Sequence, residues 1–418
     1  MAFSPDCAAR RQTPGCPSFS PLAPAATTRA PLSPDPLTRH YLDHASTSPP
    51  RPEVVLSMVR WLEGPVTAAD PGRVHTEGRI TRAVVEDARE RVASLFGTRP
   101  RHVVFTSGGT ESANAAVWGA TRDRPGRPVL LAAVEHSCVR DSSSRLAAVV
   151  ELGIDRTGRI EPDSVEDALR RCTASGGPPA LVHCQAANHE VGTVQPVADV
   201  VEICRRHGVL VHVDACALAG HLPVGFDELG ADLLSVSAHK FGGPPGMGAL
   251  LVRRGLRLDP LLVGGEQERA RRAGLENVPA IVGFGAAAEV LARPGALDEE
   301  ADAARRRTTR LLEAATAVDG VDAVGDPDHR LPHLVCVTVD GVEAEPVLLG
   351  LDQRGIAAHS GSSCSSESLA PSPVLEAMGV DGERSLRLSV GWSTTDDDVT
   401  AFEDVFSGVV AGLRDLRG

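Results

Sequence analysis

Hydrophobic and polar positions follow two periods along most of the chain, and these predict its helices and strands. Apolar residues at helical spacing predict amphipathic helices at 54–62, 80–96, 163–172, 197–206 and 281–290. Short, mainly apolar runs predict buried strands at 102–106, 129–134, 180–184, 209–213 and 231–237. Because strands and helices alternate, we expect a parallel sheet covered by helices on both faces.

Both ends of the chain depart from this order. From about residue 298, a helix is followed by strands at 333–339 and 385–390 with a helix near 343–353 between them, which predicts a smaller α+β domain. Residues 1–39 are rich in Pro, Ala, Ser and Thr and predict a disordered tail. The tail lacks the apolar segment of a secretory signal. Its arginines and its few acidic residues are compatible with a transit peptide.

Composition narrows the class of protein. The chain has 418 residues with a formal net charge of −13, 42% hydrophobic and 23% charged residues, which is typical of a soluble globular protein. The acidic balance argues against nucleic acid as the main partner. No apolar run is long enough to predict a transmembrane helix. Nine scattered cysteines form no CxxC pair and no metal-ligand spacing, which predicts reduced thiols, a cytoplasmic location and no metal site.

The chain contains a single lysine, Lys240; the other 41 of its 42 Lys and Arg residues are arginine. Arginine stays protonated and is a poor nucleophile, whereas a lysine amine can condense with a carbonyl group. Lys240 follows the apolar run 231–237, beside Ser237 and His239, and a glycine-rich turn comes after it. This setting predicts a Schiff-base lysine that holds pyridoxal phosphate. The alternative is a surface lysine in a loop.

Other polar residues follow predicted strands, at the edge where parallel α/β sheets bind ligands. The turn Ser107-Gly108-Gly109-Thr110 joins a strand to a helix, where backbone N–H groups and the helix dipole favour an anion. Asn188 and Asp214 follow further strands. Asp214 has two interpretations, a turn cap or the partner of the cofactor's pyridine nitrogen. His136 is predicted to stack on the cofactor ring or to move protons, with a structural role as the alternative.

One cysteine, Cys364, lies in a run of serines and glycine at 359–368. Such surroundings do not bury a thiol, and they predict an exposed loop in which a thiolate can attack. The other eight cysteines lie in the tail, in helices or in apolar segments, so Cys364 is the predicted functional thiol. A second loop, at 263–277, is glycine-rich and charged. It is predicted either to be solvated or to reach a neighbouring subunit's site.

In this order, the segments resemble the cysteine desulfurases of the class V aminotransferase superfamily, the NifS/IscS-like branch, over about residues 41–411. The motifs that carry the resemblance are Tyr41-Leu42-Asp43, Phe105-Thr106-Ser107-Gly108-Gly109-Thr110-Glu111-Ser112, Glu135-His136, Asn188-His189-Glu190-Val191-Gly192, His212-Val213-Asp214-Ala215, Ser237-Ala238-His239-Lys240, Gln267-Glu268-Arg269, Ser360-Gly361-Ser362-Ser363-Cys364 and Arg387-Leu388-Ser389-Val390-Gly391.

The resemblance implies a pyridoxal-phosphate-dependent transferase of the type I α/β fold. A large domain with a mainly parallel, seven-stranded sheet would be joined to a smaller α+β C-terminal domain. The implied division is a tail at 1–39, an N-terminal segment packing with the small domain at 40–55, the large domain at 56–297 and the small domain at 298–418. The family forms homodimers.

The resemblance also implies roles for single residues in the conversion of L-cysteine to L-alanine. Lys240 would form the Schiff base and move protons, Asp214 would meet the pyridine nitrogen, and His136 would stack on the ring. Asn188 would contact cofactor and substrate, Arg387 would bind the substrate carboxylate, and Cys364 would take the sulfur as a persulfide for an acceptor. The phosphate would lie at Gly109, Thr110, Ser237 and His239.

Three positions depart from the family pattern. Ala217 stands where the family usually has a Gln that contacts the cofactor's phenolic oxygen. Leu275 replaces a Thr that reaches the other subunit's phosphate, and Asp70 replaces an Asn near the substrate carboxylate. These changes keep open a C–S lyase or other amino-acid lyase of the same superfamily. A separate alternative is an inactive homologue that serves as a binding platform for sulfur transfer.

Overall fold

The computed structural model describes residues 39–66, 69–360 and 372–416. The predicted tail and the predicted nucleophile Cys364 lie outside these residues, apart from Arg39. The described strands are β1 (His40–Tyr41), β2 (Val103–Thr106), β3 (Val129–Ala132), β4 (Val149–Leu152), β5 (Leu181–Gln185), β6 (Val211–Asp214), β7 (Leu233–Ser237), β8 (Gly248–Val252), β9 (Val321–Val324), β10 (Leu334–Val339), β11 (Ile356–Ala357), β12 (His359–Ser360) and β13 (Ser385–Ser389).

Helices connect most of these strands, in the order that the periodicity predicts. They are α1 (Pro52–Leu62), α2 (Thr76–Leu95), α3 (Gly109–Asp123), α4 (Ser137–Leu146), α5 (Pro162–Ser175), α6 (Val197–His207), α7 (Phe226–Leu229), α8 (Gln267–Ala270), α9 (Val278–Leu291), α10 (Ala296–Thr316), α11 (Ala344–Asp352), α12 (Pro373–Ala377) and α13 (Asp396–Asp415). Over the described ranges, no individual helix meets the length and hydropathy needed to cross a bilayer, although α9 and α10 together meet them as a pair bent by 80°.

The large sheet has seven strands in the order β2-β8-β7-β6-β5-β3-β4. The pairs among β3, β4, β5, β6 and β7 are parallel, and only β8 runs antiparallel to its neighbours β2 and β7. The predicted mainly parallel seven-stranded sheet is therefore confirmed. Its parallel strands end at one edge, which is where the candidate residues were expected.

Helices bury both faces of this sheet, so its strands are apolar on both sides. In β3, Leu130 and Ala132 belong to the core cluster that contains apolar residues of α2, α5, α6 and α9, whereas Val129 and Leu131 face a second cluster formed with α3 and α4. This burial explains why these strands appear in the sequence as continuous apolar runs rather than as alternating ones.

A second sheet, antiparallel and ordered β12-β13-β10-β9, packs against α10, α11 and α13 around its own core cluster. The N-terminal strand β1 pairs in parallel with β11, and Leu42 is fully buried in this cluster. The boundaries given above for the two domains stay a prediction.

Several short elements and the last helix were not predicted from periodicity, and three of them illustrate the reasons. Strand β4 lies at the edge of the sheet and is only partly buried, so its pattern is weak. Strand β8 is a short apolar run directly after a proline- and glycine-rich turn. Helix α13 carried a clear signal that the sequence analysis did not use, a reciprocal capping box between Thr395 and Asp398.

The four-residue segment α8, which follows β8 along the chain, is a strained turn and not a regular helix. Glu268, Arg269 and Ala270 have φ values of 50°, 60° and 61°, a left-handed conformation that residues with a Cβ rarely adopt. The Glu268 carboxylate accepts hydrogen bonds from both terminal nitrogens of Arg89, at 2.6 and 2.8 Å, and from the Phe105 backbone N–H at 2.9 Å. This buried anchor holds the turn in place.

Candidate active site

A cavity of about 220 Å³ opens at the carboxyl ends of the parallel strands. The predicted site residues that line it are Gly109, Thr110, His136, Asp214, Ser237, His239 and Lys240. Residues far apart in the sequence meet here because the strand ends share one edge of the sheet.

Lys240 lies in a short 3₁₀ turn, Ala238–Phe241, directly after β7. Its Nζ donates hydrogen bonds to the backbone oxygens of Ala45, at 2.6 Å, and Ser46, at 3.0 Å. Gly242 ends the turn with a φ of 84°, and a Cβ at this position would come within 2.7 Å of the Arg51 side chain. The lysine is therefore an ordered wall of the cavity and does not lie in a surface loop.

Asp214 ends β6 and is 8% exposed. Its Oδ1 accepts a hydrogen bond from the Cys216 backbone N–H at 3.0 Å, so the carboxylate caps a turn and also lines the cavity. Burial, and then the negative charge of Asp214, raise the pKa of Glu135 to about 8. Glu135 therefore carries a proton at neutral pH, and it adds no second negative charge beside Asp214.

The turn between β2 and α3 forms an anion cradle. A Cβ on Gly109 would lie 2.4 Å from the Cys216 sulfur, so only glycine lets the backbone approach this closely. Gly109 and Thr110, in the first turn of α3, line the cavity, and the positive end of the helix dipole there favours a phosphate. Burial and the adjacent Lys240 lower the pKa of His239 to about 4, so its imidazole is neutral.

These residues fit pyridoxal phosphate. The helix N-terminus with Thr110, Ser237 and His239 supplies neutral donors for a phosphate, Lys240 supplies an amine for the aldehyde, and Asp214 supplies a carboxylate for the ring nitrogen. By contrast, the described residues contain no group of three or more His, Cys, Asp or Glu side chains that could hold a metal ion.

His136 is the N-cap of α4. Its Nδ1 accepts the Cys138 backbone N–H at 3.1 Å and lies 3.0 Å from the Cys138 sulfur. Its ring also meets the ring of His189 edge-on, with centroids 4.9 Å apart. His136 therefore has a structural role as a helix cap, and it also lines the cavity.

Asn188 and Arg387 are not among the residues that line the cavity. Asn188 is fully buried, and its carboxamide bonds to the backbone of Val134, Glu190 and Val191, so its predicted contact with the cofactor stays a prediction. Arg387 is 1% exposed in β13, forms an ion pair with Asp43 at 2.8 Å and donates to the His189 backbone oxygen at 2.9 Å. A rigid guanidinium in this position is suited to binding a carboxylate.

The three departures from the family pattern fall in different places. Ala217 lines the cavity and offers no side-chain donor there. Asp70 is not among the cavity residues; its charge is paired with Arg73 at 3.0 Å, and its Oδ1 accepts the Gly72 N–H at 2.7 Å. Leu275 is 65% exposed.

Besides Ala187 and Ala217, four lining residues were not among the predicted site residues: Cys138, Gln185, His189 and Cys216. A usable signal existed for Cys138 and Cys216, since each stands two positions after a predicted site residue at a strand end. Burial raises the pKa of the Cys216 thiol well above its ordinary value, and Asp214 raises it further. Cys216 is therefore a poor nucleophile.

A buried histidine pair below Asp214 makes the stability of the protein depend on pH. His212 is fully buried, its Nδ1 lies 2.7 Å from His183 Nδ1, and its Nε2 lies 2.7 Å from Ser235 Oγ. Burial lowers the pKa of His212 from 6.5 to about 4. Between these two values the unfolded chain binds a proton that the folded protein does not, so stability falls as pH falls from about 6.5 to about 4.

We expect His212→Gln to reduce this dependence by up to about 1.4 kcal/mol per pH unit. The measurement is urea unfolding at several pH values in that window. Ser235→Ala is the matched control, because it removes the hydrogen bond and keeps the titrating group; it should lower stability without changing the slope. An unchanged slope in His212→Gln would contradict the assignment.

Comparison with known proteins agrees with this geometry. The family model for aminotransferase class-V matches residues 40–402. A cysteine desulfurase IscS of Dictyoglomus turgidum is 37% identical over 386 residues, covering 90% of this chain and 95% of the relative. A cysteine desulfurase IscS of Archaeoglobus fulgidus is 39% identical, covering 90% and 98%. The solved structure of a NifS-like protein superposes with a TM-score of 0.81 at 29% identity, covering 90% of this chain and 100% of that one.

Proposed function

The chain belongs to the class-V aminotransferase family, and we infer from that membership and from the cavity that it is a pyridoxal-phosphate-dependent cysteine desulfurase. The main observation behind this conclusion is that Lys240, Asp214 and the anion cradle at the start of α3 line the same cavity. Relatives named for the same activity cover 90% of the chain.

The reaction conserves atoms and electrons without an outside oxidant. L-cysteine and an enzyme thiol give L-alanine and an enzyme persulfide: the C–S bond breaks, an S–S bond forms, and one proton leaves sulfur while one joins Cβ. The two electrons gained at Cβ are those lost by the two sulfurs. Bound pyridoxal phosphate supplies an aldehyde for the amino group and a ring that withdraws electrons from the substrate Cα.

We assign the remaining tasks to named side chains. Asp214 would hold the ring nitrogen, while the α3 N-terminus, Thr110, Ser237 and His239 would hold the phosphate. Lys240 Nζ holds and moves a proton beside the substrate Cα. Cys364 is the proposed sulfur-accepting thiol, and it passes the sulfur to a protein or a small molecule.

Arg387 is proposed to bind the substrate carboxylate, and this gives a testable change. Arg387→Lys keeps the charge but loses the planar fork, and we expect KM for L-cysteine to rise about 10- to 100-fold with a much smaller change in kcat. Arg414→Lys is the matched control, since Arg414 also donates to backbone oxygens but lies on the surface. A fall in kcat with an unchanged KM would contradict the assignment.

We further propose a homodimer in the cytoplasm. Helix α1 exposes an apolar stripe, with Val55 and Leu56 48%, Val59 40% and Leu62 56% exposed, which is typical of a face covered by another subunit. The six described cysteines are free thiols, which supports a reducing compartment.

Product analysis tests the function directly. The cofactor-loaded protein is incubated with L-cysteine and a reductant, and alanine, sulfide and pyruvate are measured. Equal amounts of alanine and sulfide are expected. Pyruvate with sulfide would instead mean β-elimination, which is the lyase alternative. No product from a fully loaded protein would also contradict the proposal.

A further inference from the structure

A buried carboxamide at the candidate cavity has an amide nitrogen without a partner. Gln185 ends β5, is 3% exposed and lines the cavity. Its backbone N–H donates to the Glu135 carboxyl at 2.6 Å, but its side-chain Nε2 has no hydrogen-bond partner among the described residues. A buried N–H group without a partner is destabilising, so its presence at a cavity indicates a bond that a ligand completes.

The strand register places this side chain beside Asp214. Strands β5 and β6 are parallel, and Gln185 is the Cα partner of Asp214. Paired residues of neighbouring strands project to the same face of a sheet, so the carboxamide and the carboxylate are neighbours, and both line the cavity. In pyridoxal phosphate, the phenolic oxygen is attached to the ring carbon two positions from the nitrogen. A ring whose nitrogen meets Asp214 therefore has its phenolic oxygen within the surroundings that Gln185 shares.

Two other positions do not supply a carboxamide donor to the cavity. Ala217 stands where the family pattern has the Gln that contacts the phenolic oxygen, and alanine has no donor. Asn188 is not among the lining residues, and both its side-chain nitrogen and its side-chain oxygen are bonded to backbone groups. Among the described residues, Gln185 is therefore the one carboxamide that lines the cavity.

The carboxamide of Gln185 is also able to turn toward a ligand. Rotation about its last side-chain bond exchanges the positions of Oε1 and Nε2. No bond from Nε2 to a described residue is lost when the group turns, because Nε2 makes none. The N–H group can therefore be presented to an oxygen in the cavity without breaking a hydrogen bond of the protein.

We propose that Gln185 donates a hydrogen bond to the phenolic oxygen of pyridoxal phosphate and so replaces the contact that the family makes from the position of Ala217. The carboxamide has moved from the turn after β6 to the end of β5, while the partner of the ring nitrogen, Asp214, is unchanged. The proposal rests on the cofactor that the proposed function requires. It holds equally for a desulfurase and for a lyase, because it concerns the cofactor and not the substrate.

The test compares pyridoxal phosphate with 3-deoxypyridoxal phosphate, an analogue that lacks the phenolic oxygen. The dissociation constant of each is measured by titration calorimetry on cofactor-free protein, with no substrate present. Gln185→Met keeps the length of the side chain and removes the donor. We expect it to weaken the binding of pyridoxal phosphate about 10-fold and that of the analogue little, so the ratio of the two constants changes about 10-fold. A general disturbance of the cavity would weaken both ligands alike and leave the ratio unchanged.

Gln195 provides the matched control. It is also a buried glutamine, 4% exposed, but its carboxamide accepts from the Ile160 backbone N–H and donates to the Gly158 backbone oxygen, both at 2.8 Å, and it is not among the cavity residues. Gln195→Met should therefore keep the wild-type ratio. Gln185→Asn is the second test variant, because it keeps the carboxamide but shortens its reach, and the ratio should change in the same direction as in Gln185→Met. A wild-type ratio in both Gln185 variants would overturn the proposal.

A rescue experiment tests whether the two positions serve the same oxygen. Adding Ala217→Gln to Gln185→Met restores a carboxamide at the family's position, and the ratio should return to within about 3-fold of the wild-type value. A double variant that keeps the Gln185→Met ratio would overturn the exchange between the two positions. If the wild type does not bind pyridoxal phosphate, or if borohydride does not fix the cofactor to Lys240, the proposed function fails. If the cofactor is fixed there while Gln185→Met keeps the wild-type ratio, only this inference fails.

Discussion

Lys240→Ala protein is expected to convert L-cysteine on the order of 10⁴-fold more slowly than the wild type, because it loses both the amine that joins the cofactor and the group that carries a proton at the substrate Cα. The cofactor link can be measured by borohydride reduction followed by peptide mapping. The chain has no other lysine, so the reduced cofactor must appear on the Lys240 peptide or on the N-terminal amine.

Lys240→Arg is the matched control for charge. Arginine keeps a positive group that can still donate to the Ala45 and Ser46 oxygens, but it does not form the covalent link. We therefore expect this variant to be as inactive as Lys240→Ala. Substantial turnover in either variant, or reduced cofactor on another peptide, would contradict the assignment of Lys240.

Cys364→Ala protein is expected to keep its bound cofactor and its absorption spectrum while alanine formation falls by at least about 10³-fold, since the reaction loses its sulfur acceptor. Mass spectrometry after reaction with L-cysteine should find a persulfide in the wild type on the peptide that contains Cys364. The variant should carry none.

Cys138→Ala is the control that makes this test specific. Cys138 and Cys216 are the thiols that line the described cavity, so they are the nearest competitors for the sulfur. Burial raises the pKa of Cys216 well above its ordinary value, and the Cys138 sulfur lies 3.0 Å from His136 at the start of α4. A persulfide on either of them, with activity retained in Cys364→Ala, would show that Cys364 is not the nucleophile.

Local patterns were sufficient to predict much of this architecture. Buried parallel strands appear as apolar runs, and residues directly after such runs must meet at one edge of the sheet. That logic brought His136, Asp214 and Lys240 together correctly. It did not predict β8. This strand is a short apolar run after a Pro-Gly turn, and so short a run has no hydrophobic periodicity by which a strand can be told from a loop.

Side-chain direction was harder to predict than position. Asn188 follows a strand as expected, but its carboxamide turns back to bond the backbone, and no sequence spacing indicates that choice. The pair between Arg387 and Asp43 joins residues 344 positions apart, through a contact between strands of the second sheet and the N-terminal segment.

The anchor formed by Arg89 and Glu268 has a consequence for how the sequence can change. Glu268 fixes the left-handed turn and also bonds Phe105, just before the turn that forms the anion cradle. Removing one charge alone would leave the other unpaired in the core and would lower the free energy of unfolding by about 3–5 kcal/mol. Replacing both residues by apolar ones would lower it far less. The two positions should therefore show strong epistasis, which means that they should change together among relatives. A substitution at Arg89 should be tolerated only where Glu268 is already replaced, and the reverse should also hold.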